Sequence, residues 1–462
     1  MLKVFSQYFP SHALQQILFD AVVLFVAFLL AILFQTHDAQ GDWRLIIPSA
    51  LLFAVVMVFV NSAVGLYRQR VPDSSLRSTA GRVLVSLVVS VPLAFAIFAI
   101  LPWGYFASEA VQLSLIILLG TVLMMRGVVN RHSAKALFAP RVLIIGTGQE
   151  AVEVARVLTG PSGGGMEIVG FYAPAGEDVP AVNAAQVIDG SVGLLETVRA
   201  RRVHDVIVAV KERRGGVLPI RDLLDCKLRG IRVMDLSSFF ERARGQVRVD
   251  SLKASWLIYG DGFRQGTLRS IAKRCFDLAA SCLLLICAAP VMLLTAVAIL
   301  LEDGAPVFYR QERVGQGGRV FRVIKFRSMR RDAEGDGRPR WAVDGDSRVT
   351  RVGRVIRRLR IDELPQLFNV LSGEMSLVGP RPERPFFVDQ LSREVPFYAV
   401  RHSVKPGVTG WAQVRYHYGA SKDDAVEKLQ YDLYYVKNHT LVLDTLVLFE
   451  TVRVVLTGEG AH

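Results

Sequence analysis

Long apolar runs fill the first third of the chain, at 14–34, 44–66, 82–101 and 109–129. Each has about twenty residues, the length a helix needs to cross a bilayer. The connectors "THDAQGDW" and "PWGYFASEA" lack Lys and Arg, whereas "YRQRVPDSSLRSTAGR" and "RGVVNRHSAK" are basic. Basic connectors stay in the cytoplasm. The pattern therefore predicts four transmembrane helices within 1–135, rather than a cleaved signal or a buried soluble bundle.

From Arg141 the pattern changes to short apolar runs that alternate with helix-like segments. The stretch "RVLIIGTGQEA" is typical of a buried strand, a Gly-rich turn and a helix start, and "EIVGFYAP", "VHDVIVAV" and "IRVMDL" follow. This spacing predicts a Rossmann-like α/β domain over 141–246, then a linker over 247–266. The turn has the pattern GxGxxA, without an acidic residue placed for a ribose hydroxyl. A nucleotide site and a purely structural role both stay open.

A further apolar segment, 275–304, has basic residues on both sides, so neither end is expected to leave the cytoplasm. Pro290 follows Ala289 in its middle and removes a helix hydrogen bond. We predict a re-entrant helix over about 275–301 that bends at Ala289 and Pro290 and returns to the same membrane face. The alternative is an ordinary fifth span.

The composition narrows the partners. The 462 residues are 51% hydrophobic, with a net charge of +13 and a pI near 9.8. Such charge suits nucleic acid, anionic lipid or a phosphorylated substrate; with the apolar runs, we expect the last two and no nucleic acid. Four cysteines form no CxxC pair, which indicates neither a disulfide framework nor a zinc site.

Asp362 and Glu363 follow a stretch rich in arginine. The segment "TRVGRVIRRLRIDELPQLFN" predicts one helix, in which Arg358 and Asp362 share a face. Neighbouring side chains diverge by about 100° on a helix, so the two acids suit two different roles. Nearby cations would keep Asp362 ionised as a nucleophile, and Glu363 could hold Mg2+. A carboxylate that merely pairs with arginine explains the pattern equally well.

Other segments of the C-terminal half predict phosphate and membrane contacts. The turns "SLVGPRPERP" and "RHSVKPGVTGWAQV" are rigid and present cations, which suits phosphate recognition. The last segments read as amphipathic helices, with four residues suited to the membrane interface. These four residues are Tyr431, Tyr434, Tyr435 and Lys437.

The segments "KFRSM", "IDELPQLFNVLSGEMSLVGPRPE", "KPGVTGWAQV" and "DLYYVKN", in this order after a Pro-containing apolar segment, resemble the bacterial monotopic phosphoglycosyl transferases. The four apolar runs and the Rossmann-like domain extend the resemblance to the large form. It implies a catalytic α/β-type domain over 267–462, anchored by the re-entrant helix at the bacterial inner membrane. The implied reaction transfers hexose-1-phosphate from a UDP-sugar to undecaprenyl phosphate and releases UMP, at the start of polysaccharide synthesis.

The resemblance also implies roles for single residues. Asp362 matches the nucleophile that forms a covalent phosphosugar in a ping-pong reaction, Glu363 the carboxylate associated with Mg2+, and Arg357 a supporting arginine. Asp362 is expected to contribute to the Mg2+ site as well. Ala289 and Pro290 stand where the family often has Ser-Pro. The residues expected to contact substrate are Arg313, Lys325, Arg327, Arg381, Pro382 and Gln413.

Three points stay open at this level. The middle domain would suit a homodimer, and glucose is the sugar we favour. A membrane NAD-dependent nucleotide-sugar dehydratase is one alternative, since Tyr418 and Lys422 have the Tyr-x-x-x-Lys spacing. A non-catalytic scaffold for polysaccharide assembly is the other.

Overall fold

The computed structural model describes residues 2–4, 7–9, 17–27, 29, 43–63, 140–160, 166–174, 181–190, 192–210, 218–249, 266–330, 348–416 and 421–457. The runs predicted at 82–101 and 109–129 lie outside these residues, as does most of the predicted linker. Two compact units meet in sequence between Arg244 and Gly245.

The described residues of the N-terminal part form two short strands, β1 (Leu2–Val4) and β2 (Gln7–Phe9), and two apolar helices. Helix α1 (Ile17–Ala27) lies within the first predicted run, and helix α2 (Trp43–Ala63) begins one residue before the second and ends inside it. Among the residues with described structure, one helix, Thr267–Asp303, is long and apolar enough to cross a membrane. The four-helix bundle therefore stays a prediction.

A parallel five-stranded sheet forms the core of the middle domain, in the order β5-β4-β3-β6-β7. This order places the first strand at the centre and is that of a Rossmann half, so the predicted parallel α/β sheet is confirmed. The strands are β3 (Arg141–Ile145), β4 (Glu167–Ala173), β5 (Val187–Asp189), β6 (Asp205–Val208) and β7 (Arg232–Asp235). The helices are α3 (Gln149–Thr159), α4 (Leu194–Ala200), α5 (Ile220–Leu228) and α6 (Leu236–Arg244).

The central strand shows why this sequence folds as a covered sheet. Val142 and Ile144 are buried in the cluster on one face, and Leu143 and Ile145 in the cluster on the other. A strand buried on both faces reads as a continuous apolar run. Gly146 then has φ +115°, and a Cβ there would lie 2.7 Å from the carbonyl oxygen of Ala209. Backbone packing thus accounts for the first glycine of the GxGxxA pattern, and nucleotide binding stays a prediction.

The second unit combines helices with two small sheets. Strands β8 and β9 form an antiparallel hairpin, whereas β10 and β11 pair in parallel. Its strands are β8 (Phe308–Val314), β9 (Val320–Phe326), β10 (Ser376–Val378) and β11 (Gly407–Thr409). Its helices are α7 (Thr267–Asp303), α8 (Arg351–Arg358), α9 (Gln366–Ser372), α10 (Pro385–Glu394), α11 (Trp411–Arg415), α12 (Lys422–Asn438) and α13 (Leu441–Thr457).

Residues that the sequence assigned to the linker begin this second unit. Val247 and Val249 are buried in its core, and the backbone N–H of Val247 donates to the carbonyl oxygen of Gln430 at 3.0 Å. The chain is therefore packed against α12 within three residues of the end of α6.

Within the second unit, the long helix α7 contacts other elements near both of its ends. Arg274 donates to backbone carbonyls at the end of α9, and Glu302 accepts from the N–H groups of Arg351 and Val352 at 2.7 and 2.8 Å. Helical structure continues through Ala289 and Pro290. The bend and the return to one membrane face remain predictions. Large apolar side chains between the two ends are exposed, among them Leu283, Ile286, Leu293 and Leu294.

The interfacial role predicted for the C-terminal tyrosines is wrong for Tyr434 and Tyr435. Both are buried in the core of the second unit, because α12 packs inside it. The Tyr435 hydroxyl contacts the carbonyl oxygen of Val378 at 2.8 Å and Asp444 Oδ1 at 2.7 Å. An amphipathic pattern identified the helix but not the partner of its apolar face.

We expect Gly379→Ala to destabilise the second unit by about 1–3 kcal/mol, the cost of overpacking. A Cβ at Gly379 would lie 2.3 Å from the carbonyl oxygen of Lys405 and 2.8 Å from the nitrogen of Gly407. Thermal unfolding of the purified full chain in detergent measures the effect. Gly266→Ala is the control, since nothing lies within 4 Å of its added Cβ. Equal melting temperatures for the two variants would contradict the packing assignment.

Candidate functional site

A left-handed residue places the two acids on a turn. Helix α8 ends at Arg358, Arg360 has φ +58°, and Ile361–Glu363 forms a 3₁₀ turn before α9. The predicted continuous helix, with Arg358 and Asp362 on one face, is therefore wrong. A non-glycine residue in the left-handed region ends α-helical geometry, and side-chain periodicity gives little warning of it.

Three cations converge on one oxygen of Glu363. Oε1 lies 2.9 Å from Lys325 Nζ, 3.1 Å from Arg381 Nη2 and 3.9 Å from Arg360 Nη1. Burial alone would raise the pKa of Glu363, but Lys325, Arg381 and Arg360 hold it well below its usual value. The sequence predicted cations near the two acids. Two of the three cations come from elsewhere in the chain: Lys325 from strand β9 and Arg381 from the loop after β10.

Asp362 has a different environment. It is 9% exposed, and within the described residues its carboxylate has no hydrogen bond or ion pair. Burial and the charge of Glu363 raise its pKa to about 6, against the opposing effect of Lys325, Arg360 and Arg381. The cations thus neutralise Glu363 more than Asp362. Asp362 is still ionised at neutral pH, and no partner among the described residues would have to be displaced from it.

The backbone of Arg381 is held by a buried arginine. Arg401 Nη2 donates to the carbonyl oxygen of Arg381 at 2.9 Å and lies 2.7 Å from Asp432 Oδ2. Its Nη1 donates to the Tyr398 hydroxyl at 2.7 Å. This support was not predicted from the sequence, although Arg401 and Asp432 both fall inside the quoted motifs.

The other end of the same loop is held by a second buried network. The Tyr435 hydroxyl bonds the carbonyl oxygen of Val378, and it also bonds Asp444, whose other oxygen lies 2.8 Å from Lys273 Nζ. Asp432 and Tyr435 are one turn apart on α12. This helix therefore orders both ends of the segment that carries Arg381. Asp444, on α13, links the second network to Lys273 of α7.

Arg313 and Pro382 also lie beside this loop. Arg313 Nη1 donates to the carbonyl oxygen of Pro382 at 3.1 Å and lies 3.5 Å from Glu383 Oε2. Burial lowers the pKa of Arg313 to about 10. These contacts place two predicted substrate residues next to Arg381, where both shape the loop.

The described contacts do not bring the remaining predicted residues to the acids. Arg327 Nη2 donates to the carbonyl oxygens of Asp303 and Gly304 at 3.1 and 2.6 Å, at the end of α7. Arg357 is half-buried in the last turn of α8. Gln413 Oε1 is buried without a partner among the described atoms. Substrate contacts of these three residues stay predictions.

Comparison with known proteins identifies the chain. A family model described as "Bacterial sugar transferase" matches residues 268–458. The undecaprenyl-phosphate galactose phosphotransferase of Salmonella typhimurium is 30% identical over 352 residues, 71% of this chain and 70% of the relative. The chain belongs to the bacterial sugar transferase family.

Two further relatives of this sugar transferase are named for different sugars. The UDP-N-acetylgalactosamine-undecaprenyl-phosphate N-acetylgalactosaminephosphotransferase of Aeromonas hydrophila is 48% identical over 52% of this chain. The undecaprenyl-phosphate glucose phosphotransferase of Komagataeibacter xylinus is 37% identical over 68% of it. The chain spans 56% and 59% of the lengths of these two relatives. All site residues described above fall inside the family match.

The two acids of this sugar transferase should respond oppositely to neutralisation. Glu363→Gln should destabilise the fold by about 3 kcal/mol, the low end for a broken buried pair, because Arg381 and Arg360 keep solvent contact. Asp362→Asn should leave the melting temperature unchanged or raise it, because a raised carboxyl pKa means that the ionised form disfavours folding at neutral pH. Thermal unfolding at pH 7.5 measures both. A lower melting temperature for Asp362→Asn than for Glu363→Gln would contradict the environments described for the two acids.

Proposed function

We propose that this protein transfers hexose-1-phosphate from a UDP-sugar to undecaprenyl phosphate and releases UMP. The observation that carries the proposal is the pair of acids: Asp362 is buried, ionised at neutral pH and without a described partner, beside a Glu363 that three cations neutralise. The named activities of the three relatives are all transfers of this kind. The family membership supports extending them to this chain.

The proposed chemistry has two steps. A carboxylate oxygen of Asp362 attacks the phosphorus that bears the sugar, the bond from that phosphorus to the UMP oxygen breaks, and UMP leaves. A phosphate oxygen of undecaprenyl phosphate then attacks the same phosphorus and breaks its bond to Asp362. Each step exchanges one P–O bond for another, and the free carboxylate is restored.

The cations near Glu363 address the main barrier to this reaction, the approach of an anionic nucleophile to a diphosphate. Lys325 and Arg381 lie within 3.1 Å of Glu363 and are partly exposed, so a diphosphate entering the site would meet them. Positive groups fixed in a water-poor site stabilise the charge that develops in transfer. The buried pair of Arg401 and Asp432 positions Arg381 for this role.

The donor set fits a bound Mg2+. Mg2+ takes one or two protein carboxylates and leaves its other positions to water and phosphate oxygens. Asp362 has no described partner, and the described contacts of Glu363 all fall on Oε1, which leaves Oε2. Asp362 and Glu363 would hold the ion, which would neutralise phosphate charge when bound.

The contacts of α7 support a re-entrant arrangement at the cytoplasmic face of the bacterial inner membrane. Arg274 and Glu302, 28 residues apart in number, both contact the second unit, while the apolar side chains between them are exposed. A straight helix of that length would span about 42 Å. Anchoring at both ends would let its exposed middle enter one leaflet and keep the acids at the lipid boundary.

The homodimer stays a prediction.

The competing functions have less support. For the dehydratase, Tyr418 lies outside the described residues, and Lys422 Nζ pairs with Glu394 Oε2 at 3.0 Å on the surface. A non-catalytic scaffold would not explain why a buried Asp362 lacks an ion pair among the described residues. Neither reading has a specific observation in its favour.

Asp362→Asn should reduce UMP release by at least a thousandfold, because an amide cannot form the proposed phosphosugar. The assay uses full-length protein, undecaprenyl phosphate, Mg2+ and, in turn, UDP-glucose, UDP-galactose and UDP-N-acetylgalactosamine. UDP-glucose is the donor we favour. Asp389→Asn, on helix α10, is the control for loss of one carboxylate. UMP release at the wild-type rate in Asp362→Asn would refute the nucleophile assignment.

The rate of UMP release should depend on the ionisation of Asp362. Because its pKa is raised to about 6, kcat/KM should fall about tenfold per pH unit below pH 6 and level off above it. Initial rates between pH 5 and 8, at a donor concentration far below KM, test this. A profile that stays flat down to pH 5 would show that the raised pKa does not belong to the reacting group.

A further inference from the structure

A second group of cations lies at the other end of α9 from the acids. Gly373 ends this helix with φ +89°. From the position that a Cβ of residue 373 would occupy, Arg274 Nη2 is 3.5 Å away and Lys405 Nζ is 3.7 Å away. Glycine leaves this point open, and two cations from distant parts of the sequence face it.

Arg274 is held in place by the protein. Its Nη1 donates to the carbonyl oxygen of Val370 at 2.6 Å and its Nη2 to that of Leu371 at 2.8 Å. A guanidinium carries five N–H donors, so these two bonds leave others for a ligand. These two bonds at the end of α9 therefore fix the position of the Arg274 guanidinium, and N–H donors of the guanidinium remain for a ligand.

Lys405 makes no ion pair with the described residues. No carboxylate among the described residues lies within ion-pair distance of its ammonium. Two acids of this region have other partners. Asp277, whose charge acts on Lys405, lies 3.7 Å from Lys273, and Glu374, next to Gly373 in sequence, accepts from Asn369 and Ser372 at 2.8 and 3.1 Å. Burial and the charges of Arg274 and Lys273 lower the pKa of Lys405, against the opposing effect of Asp277. A bound anion would relieve this repulsion.

The position of these cations along α7 indicates which anion they meet. Arg274 precedes Leu283, in the exposed apolar middle, by nine residues, or about 13 Å along a helix. Exposed Ile271 and Leu268 lie about one and two turns before Arg274 on the same helix, and exposed Phe368 lies on α9. Cations bordered by exposed apolar side chains, just before a membrane-inserted segment, are at the depth of lipid head groups.

We propose that Arg274 and Lys405, over the open position at Gly373, bind the phosphate group of a membrane lipid at a site separate from the acid pair. The seven residues of α9, about 10 Å of helix, separate Gly373 from the turn that carries Asp362. An anionic phospholipid and a polyprenyl phosphate offer the same chemistry. The site rests on the insertion of α7 in the membrane and not on the role of Asp362.

Thermal unfolding of the full chain in a non-ionic detergent tests the site. Phosphatidylglycerol and undecaprenyl phosphate are added in separate arms, with diacylglycerol and undecaprenol as phosphate-free partners. At least one phosphate lipid should raise the melting temperature of the wild type more than its phosphate-free partner does. Lys405→Gln should lose at least half of that extra shift, and Lys405→Arg should restore it. Lys227→Gln, which removes an exposed lysine of the middle domain, should keep the full shift.

The measurements with the two phosphate lipids identify which lipid binds, and they also give the outcome that overturns the proposal. A Lys405-dependent shift with phosphatidylglycerol assigns the site to bulk lipid, and one found only with undecaprenyl phosphate assigns it to the acceptor. Shifts in Lys405→Gln equal to those of the wild type in both arms, or no extra shift in the wild type, overturn the site. UMP release is assayed separately, so failure of the proposed transferase activity does not affect this reading.

Discussion

The neutralisation of Glu363 is the interaction on which the rest of the site depends. A carboxylate buried at this turn must find counter-charges, and it finds them on β9, on the loop after β10 and on its own turn. Three separate segments are thereby drawn to one oxygen atom. The cations act most strongly on Glu363, whereas its neighbour Asp362 keeps a higher pKa and makes no ion pair with the described part of the chain. Two adjacent acids acquire different ionisation behaviour from their surroundings alone, as paired catalytic acids commonly do.

This arrangement needs a rigid loop behind Arg381, and α12 provides it with buried polar groups. The pair of Arg401 and Asp432 holds the carbonyl of Arg381, and the Tyr435 hydroxyl holds that of Val378. Burying ion pairs costs desolvation energy, so such networks contribute conformational specificity more readily than stability. Here they define where one guanidinium can lie. Lys273 extends the second network to α7, so this long apolar helix and the loop that carries Arg381 share one set of contacts.

The same helix relates the site to the membrane. Its exposed apolar middle would be unfavourable in water, whereas its ends are hydrogen-bonded to the second unit. A transferase that joins a cytosolic donor to a lipid phosphate needs its acids at that boundary. The cations near Gly373 would add a contact with lipid phosphate at the same depth, about one short helix away from the acids.

The sequence by itself determined the elements with strong local signals. Continuous apolar runs predicted the strands of the parallel sheet. The order of motifs identified the sugar transferase family and selected Asp362, Glu363, Lys325 and Arg381 as candidate site residues, and the structure brings Lys325 and Arg381 to Glu363. Tertiary structure alone decided the left-handed turn at Arg360, the burial of Tyr434 and Tyr435, and the support of Arg381 by Arg401 and Asp432. Periodicity reports which face of an element is apolar, but it does not say what covers that face. Contacts between residues far apart in sequence form only when the chain is packed, and the ionisation of the two acids depends on those contacts.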